Sequence, residues 1–248
     1  MQSGALTYWC HDAPALAVPF LVPLVAAVPA ILVLVLDIAR HEKHFRHEKL
    51  FFGLVAGILA GFILVVAQGL FLTDAGTFFA TLAVPLVAAL VLTMVIGLPR
   101  FRGDPASVWY GGGMGLAMAA LVLLGEAQPV ASRLSAGESF AAFAASSVGI
   151  TGTFYATGML VGWGSSRNTI VRMAPMAYLL LLPAAFFKGE LDVGETAPFQ
   201  GALLWAVLLL AYGVGAAVFA ARRGHEYALP EAAKRARRRA RREKMREE

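Results

Sequence analysis

Long apolar runs alternate with short polar stretches along the whole chain. Seven of the runs approach the roughly 20 apolar residues that a helix needs to cross the hydrocarbon core of a bilayer. They cover residues 15–36, 50–71, 77–98, 107–124, 139–162, 169–187 and 199–221. This pattern predicts an all-α fold, a polytopic bundle of about seven transmembrane helices. Residues 1–14 would then form an extracytoplasmic N-terminal segment, 15–221 the transmembrane domain, and 222–248 a basic tail that we expect to be helical.

The overall composition agrees with a membrane environment. Hydrophobic residues make up 58% of the chain and charged residues only 15%, with a mean hydropathy of +0.68. Because a soluble domain carries about 25% charged residues, this chain has too few of them to cover a soluble surface. The composition therefore excludes an ordinary soluble enzyme or binding domain.

The basic residues indicate how the helices are oriented. Of 21 Lys and Arg residues, nineteen fall in the first, third and fifth connecting segments and in the tail. Only Arg133 and Lys188 fall on the other side. Since cytoplasmic loops carry the excess of Lys and Arg, we predict an N-terminus outside and a C-terminus in the cytoplasm. We expect a multi-pass protein of a bacterial or archaeal cell membrane.

The predicted spans contain almost no side chains that could carry out chemistry. Asp37, Glu126 and Lys188 lie at span ends, where their charges can reach the interface. The five histidines all fall outside the spans, which argues against a haem bundle or an intramembrane metalloprotease centre. Cys10 is the only cysteine, so an intrachain disulfide or a thiol metal cluster is excluded. We therefore predict no cofactor and no metal site.

The fifth span is the most polar, and its composition leaves two interpretations open. Hydroxyl groups and glycines on one helix suit close helix packing with interhelical hydrogen bonds, which is the preferred interpretation. The same residues could line a polar groove for a lipid or a small solute. The candidate groove residues are Ser146, Ser147, Thr151, Thr153, Tyr155 and Thr157.

The C-terminal tail provides a candidate surface for anionic lipid. A basic segment next to a membrane is attracted to anionic headgroups by about 1 kcal/mol per charge. An acidic protein or ribosomal RNA could use the same charges, although nothing in the tail selects either. The arginines concerned are Arg235, Arg237, Arg238, Arg239, Arg241 and Arg242.

The segment PLVAALVL (Pro85–Leu92) of the third span precedes the basic loop PRFRGDP and the glycine-rich VWYGGGMGLAMAALVL (Val108–Leu123). The segments GTFYATGMLVGWG (Gly152–Gly164) and LLPAAFF (Leu181–Phe187) follow in the fifth and sixth spans. This order of features resembles the PrsW-like intramembrane protease family, a group related to the CAAX proteases, in which the last two segments carry histidines. The first two spans and their charged loop also fit the start of that family, so the resemblance covers most of residues 30–190. It implies a helical bundle with a catalytic site inside it.

The residues that would form this site are all replaced. The family's two glutamates and lysine correspond to Ala88, Ala89 and Leu92, the glutamate of the next helix to Val122, and the two histidines to Thr153 and Pro183. None of these replacements can activate water in the way a glutamate or histidine does, or complete a metal site. The resemblance therefore implies a non-catalytic relative.

We accordingly expect a non-enzymatic membrane protein that binds a membrane partner, lipid or peptide where the family has its site. Two alternatives remain. One is a small-solute transporter or channel that uses the hydroxyl-rich fifth helix, and the other is a structural subunit of a larger membrane complex.

Overall fold

The computed structural model describes residues 7–41, 46–71, 77–133, 137–194 and 199–228. These ranges form seven helices and contain no strand, which confirms the all-α bundle. The helices are α1 (Thr7–His41), α2 (His47–Phe71), α3 (Thr77–Ile96), α4 (Ser107–Arg133), α5 (Gly137–Ser166), α6 (Ile170–Gly194) and α7 (Phe199–Ala228).

Five of the described helices are long and apolar enough to cross a membrane. These segments are Val22–Arg40, His47–Ala67, Ser107–Gly125, Ile170–Lys188 and Leu203–Gly224. The apolar segment of α3, Leu82–Ile96, is shorter, and α5 is more polar. Helix α5 can be more polar because residues 149–159 are all buried against other helices rather than facing lipid. The chain is an integral membrane protein.

Several helices extend beyond the apolar runs that predicted them. Helix α1 begins at Thr7 rather than at residue 15, and α7 continues to Ala228 rather than ending at 221. The reason is that hydropathy marks only the part of a helix that lies in lipid, whereas backbone hydrogen bonds continue the helix into the polar region. Helix α3 ends at Ile96, shortly before Pro99, a residue that cannot donate to a continuing helix.

Helices α4 and α5 lie at the centre of the bundle. In α4, 78% of an 18-residue apolar stretch within Ser107–Gly125 is buried, compared with 17% of the corresponding stretches of α1 and of α7. Helix α4 packs against α1, α2 and α5, while α5 also packs against α6 and α7, and α3 packs mainly against α6. The outer helices present large apolar side chains outward, such as Phe51 and Phe62, as expected for lipid contact.

Glycines bring the central helices into backbone contact. A Cβ atom placed on Gly111 of α4 would overlap the carbonyl oxygen of Gly158 in α5, and one on Gly158 would overlap that of Gly111. Gly149 of α5 and Gly213 of α7 exclude a Cβ atom in the same way, because each approaches the backbone of the other helix. Close approach of this kind is typical of helix association in membranes, where dispersion contacts between backbones replace the hydrophobic effect.

Three of the connections that separate the helices meet at one end of the bundle. The Lys49 ammonium lies 2.6 Å from the Asp104 carboxylate, which joins the start of α2 to the segment between α3 and α4. The backbone N–H of Gly103 donates to the carbonyl of Ser165 at 3.1 Å, near the end of α5. The connections before α2, before α4 and after α5 therefore share one end, as the charge pattern requires. That this end is cytoplasmic stays a prediction.

Candidate functional site

A cavity of about 70 Å³ opens between α3, α4, α5 and α6. Its wall is almost entirely apolar and includes one charged residue, Lys188, in the last two turns of α6. The lining residues are Val84 and Pro85 from α3, Val122 from α4, Ile150 and Phe154 from α5, and Leu181, Ala184, Ala185 and Lys188 from α6.

Small residues and prolines in the surrounding helices explain why this space is not filled. Ala184 and Ala185 project only methyl groups from α6 into a region where most neighbouring positions carry larger side chains. Pro85 lies in the wall and Pro183 adjoins it, and each proline interrupts the hydrogen-bond ladder of its helix. Because apolar cavities exclude water and accept apolar molecules, this space suits part of an apolar ligand.

The cavity lies beside several positions at which the resemblance to the PrsW-like family predicts the replaced catalytic residues. Val122 lines the cavity directly. Ile150, one turn before Thr153, and Phe154, the residue after it, also line the cavity. Leu181 and Ala184 likewise flank Pro183 along α6. The fold therefore brings Val122 and the neighbours of Thr153 and Pro183 to one place.

The other positions of that set lie in the packed interior. Ala88, Ala89 and Leu92 follow Pro85 along α3 and belong to the main apolar core. Thr153 is fully buried, and its hydroxyl donates to the carbonyl of Gly149 at 2.9 Å. Within the described ranges, no cluster of three or more His, Cys, Asp or Glu side chains could hold a metal ion.

Most hydroxyl groups of the candidate polar groove bond to their own helix. Ser146 and Ser147 both donate to the carbonyl of Phe143 at 2.8 Å, and Thr157 donates to the carbonyl of Thr153 at 2.7 Å. Such bonds to the preceding helical turn satisfy a hydroxyl without a partner on another helix. Thr151 is buried as well, and its hydroxyl has no hydrogen-bond partner. All six candidate residues are buried, and none of them lines the cavity.

Tyr155 makes an interhelical bond that sequence patterns could not indicate. Its hydroxyl donates to the Asp37 carboxylate at 2.5 Å, which links α5 to the end of α1. From the sequence, Asp37 is expected to reach the interface as a span-end charge. In the structure it is half-buried and accepts this hydrogen bond. The two residues are 118 positions apart, so only the packing of α1 against α5 brings them together.

Lys188 acquires a specific position that its place in the sequence did not reveal. The sequence identifies it as a charge at the end of the sixth span, whereas the structure places it in the wall of the cavity. Near it, the rings of Phe187 and Trp205 stack with centroids 5.9 Å apart, and Phe187 meets Tyr212 edge-on at 6.0 Å. The cavity is thus lined by apolar side chains and by Lys188.

The arginines of the tail, from Arg235 to Arg242, lie outside the described residues. No protein-family model, curated protein or solved structure matches this chain.

Proposed function

We propose that this protein is a non-catalytic membrane protein that holds the acyl chain of a lipid in the cavity between α3, α4, α5 and α6. The observation that carries the proposal is the apolar cavity at Val122, where the PrsW-like pattern would place a glutamate. A wall of aliphatic and aromatic side chains favours hydrocarbon, because it offers no hydroxyl or amide side chain that an apolar ligand would leave without a hydrogen bond.

The proposal includes the absence of protease activity. Ala88, Ala89 and Leu92 are buried and carry no ionisable group, and the hydroxyl of Thr153 is committed to a carbonyl of its own helix. Activating a water molecule requires a general base or a metal ion, and these side chains provide neither. The protein would thus resemble a PrsW-like scaffold that binds without cleaving.

Lipid binding is better supported than solute transport. A polar pathway needs donors and acceptors that face a solute, whereas Ser146, Ser147, Thr153 and Thr157 use their hydroxyls on their own backbone. Four glycines of α5, at positions 149, 152, 158 and 162, are likewise used for contact with α4 and α7. The most polar helix of the bundle therefore contributes to packing, while the open space is apolar.

The test fills the cavity and measures the lipid that the protein retains. In Ala184→Phe, a ring would occupy the space next to Val122, and overpacking of this kind costs about 1–3 kcal/mol when the site does not yield. The matched control is Leu179→Phe, which adds a ring to the same helix at a side chain that is 57% exposed. Native mass spectrometry after detergent washing would count the lipids bound to each protein.

We expect the wild type and Leu179→Phe to retain a lipid that Ala184→Phe loses. Equal retention by all three proteins would contradict the proposal. A stoichiometric protein partner that replaces lipid in the wild-type preparation would instead favour the structural-subunit alternative. Cleavage of a transmembrane substrate by the purified wild type, with activity lost on changing Thr153, would contradict the non-catalytic part of the proposal.

A further inference from the structure

The depth of the cavity in the bundle indicates which lipids can reach it. The end of the bundle where the connections before α2, before α4 and after α5 meet is called the basic end below. We infer that the cavity takes its acyl chain from the leaflet on the side away from the basic end, through a mouth between α3 and α6. This inference rests on the proposed function and adds the source of the lipid and its route of entry.

The helices around the cavity share a common level at the basic end. The Ser165 hydroxyl donates to the carbonyl of Ile96 at 2.7 Å, so α3 and α5 end side by side. A Cβ atom on Gly162 would overlap the carbonyl of Ser107, which places the start of α4 beside the last turns of α5. Helix α6 begins at Ile170, shortly after α5 ends. Distances along all four helices can therefore be measured from one level.

Measured from this level, the cavity lies in the far half of the bundle. Pro85 precedes the end of α3 by 11 residues, and Leu181 follows the start of α6 by 11 residues. Val122 follows the start of α4 by 15 residues, and Ile150 precedes the end of α5 by 16. At a rise of 1.5 Å per residue, these positions lie roughly 16–24 Å from the basic end. The midplane of a hydrocarbon core about 30 Å thick lies at about 15 Å, so all four helices place the cavity beyond it.

The half-buried residues of the wall mark where the cavity opens. These residues are Val84 of α3 and Ala185 and Lys188 of α6. The lining residues that α4 and α5 contribute are all buried. The mouth therefore lies between α3 and α6, and α4 and α5 form the inner wall.

A lipid of the far leaflet can reach this mouth with its headgroup still in water. The acyl chains of each leaflet fill about half of the hydrocarbon core, so the chains on the side of the basic end stop near the midplane. A lipid on that side would have to draw its polar headgroup into hydrocarbon to place a chain in the cavity. Burying polar groups without hydrogen-bond partners opposes this route, which leaves the far leaflet as the source.

The experiment places a photoreactive phospholipid in one leaflet at a time. The lipid carries a diazirine near the end of one acyl chain, and cyclodextrin exchange introduces it into the external leaflet of vesicles that contain the protein with a C-terminal affinity tag. The tag marks the basic end, because Gly224 of α7 lies against Val108 at the start of α4. At a low ratio of protein to lipid, vesicles captured through the tag have the basic end outside, and those that flow through have it inside.

We expect the flow-through vesicles to give cross-links on Ile150 and Phe154 of the inner wall, and the captured vesicles to give none. Tandem mass spectrometry identifies the labelled residues. These cross-links should be lost in Ala184→Phe, which fills the cavity, and kept in the matched control Leu179→Phe, which changes an exposed position of the same helix. Inner-wall cross-links of equal or greater yield in the captured vesicles would overturn this inference and leave the proposed function standing.

The route of entry is tested by moving the diazirine along the chain. Placed next to the ester carbonyl, it should label Val84 and Ala185 at the mouth rather than the inner wall. Labelling of α2 in place of α3 and α6 by this lipid would overturn the proposed route. If photolipid present in both leaflets labels no cavity residue of the wild type in either orientation, the proposed function itself fails.

Discussion

The backbone contact between α5 and α7 can be tested with two glycines of the same helix. Gly213 lies against Gly149, and a Cβ atom built on it would overlap the carbonyl group and Cα atom of that residue. Gly215 is two residues further along α7, and a Cβ atom there would meet no atom within 4 Å. Gly213→Ala and Gly215→Ala are therefore the same chemical change in one helix, and only the first adds a collision.

The size of the effect follows from two opposing contributions. Replacing glycine by alanine inside a helix stabilises the folded chain by about 0.5–1 kcal/mol, because the unfolded backbone loses freedom, and this gain is common to both variants. The collision at Gly213 involves backbone atoms, which move only if the whole helix moves. Overpacking costs about 1–3 kcal/mol. We expect Gly215→Ala to be neutral or slightly stabilised, and Gly213→Ala to be less stable than Gly215→Ala by about 1–3 kcal/mol.

Thermal unfolding in a single detergent provides the assay. The loss of the monodisperse peak in size-exclusion chromatography after heating gives a midpoint temperature for each variant. At about 2–4 °C per kcal/mol for a chain of this length, the two midpoints should differ by roughly 2–12 °C. If Gly213→Ala unfolds at the same temperature as Gly215→Ala or above it, the two helices are not in backbone contact there, and the argument is refuted.

Three further predictions concern the basic end and the topology. Ser165→Ala should destabilise the protein by about 1 kcal/mol, because the buried Ser165 hydroxyl donates to the carbonyl of Ile96 at the end of α3 at 2.7 Å. Ser166→Ala loses only a hydrogen bond within its own helix and should cost less. Thermal midpoints compare the two variants, and equal losses would contradict the reasoning. Asp104 pairs with Lys49 and also accepts the backbone N–H of Ala106, just before α4. Asp104→Ala should therefore destabilise the protein by about 1–2 kcal/mol, and Lys49→Met by less than about 1 kcal/mol. A larger loss of stability in Lys49→Met than in Asp104→Ala would contradict this explanation. Cys10, the only thiol, should react with a membrane-impermeant maleimide in intact cells, and labelling only after permeabilisation would reverse the predicted orientation.

Much of the fold could be predicted from local sequence. Each of the seven apolar runs corresponds to one helix, and helix α3 ends just before Pro99. A bilayer explains this success, because every backbone polar group in hydrocarbon must be satisfied within its own segment, and a helix does so without any partner. What the apolar pattern could not indicate was the order of burial, in which α4 and α5 are central and α1 and α7 peripheral.

The candidate site was predictable only in part. The family resemblance predicts a site position at Val122, which lines the cavity, but no sequence pattern identifies Ala184, whose methyl group leaves space there. The sequence shows that α5 carries many hydroxyl groups, but the hydrogen-bond partner of each hydroxyl depends on the rotamer of its side chain. A bond to the same helix and a bond to a ligand require the same residue types, so composition alone does not distinguish them.

The sequence by itself determined which segments are helical and apolar, because hydropathy and backbone satisfaction act within each span. It also determined which connections carry positive charge. The tertiary structure decided the contacts that join distant segments, including the bond from Tyr155 to Asp37, the backbone approach of Gly149 to Gly213, and the position of Lys188 beside the cavity. These depend on the rotation of each helix about its own axis and on its neighbours. Rotation is fixed only when small residues let backbones meet, because in lipid an apolar side chain gains little from facing another helix rather than an acyl chain.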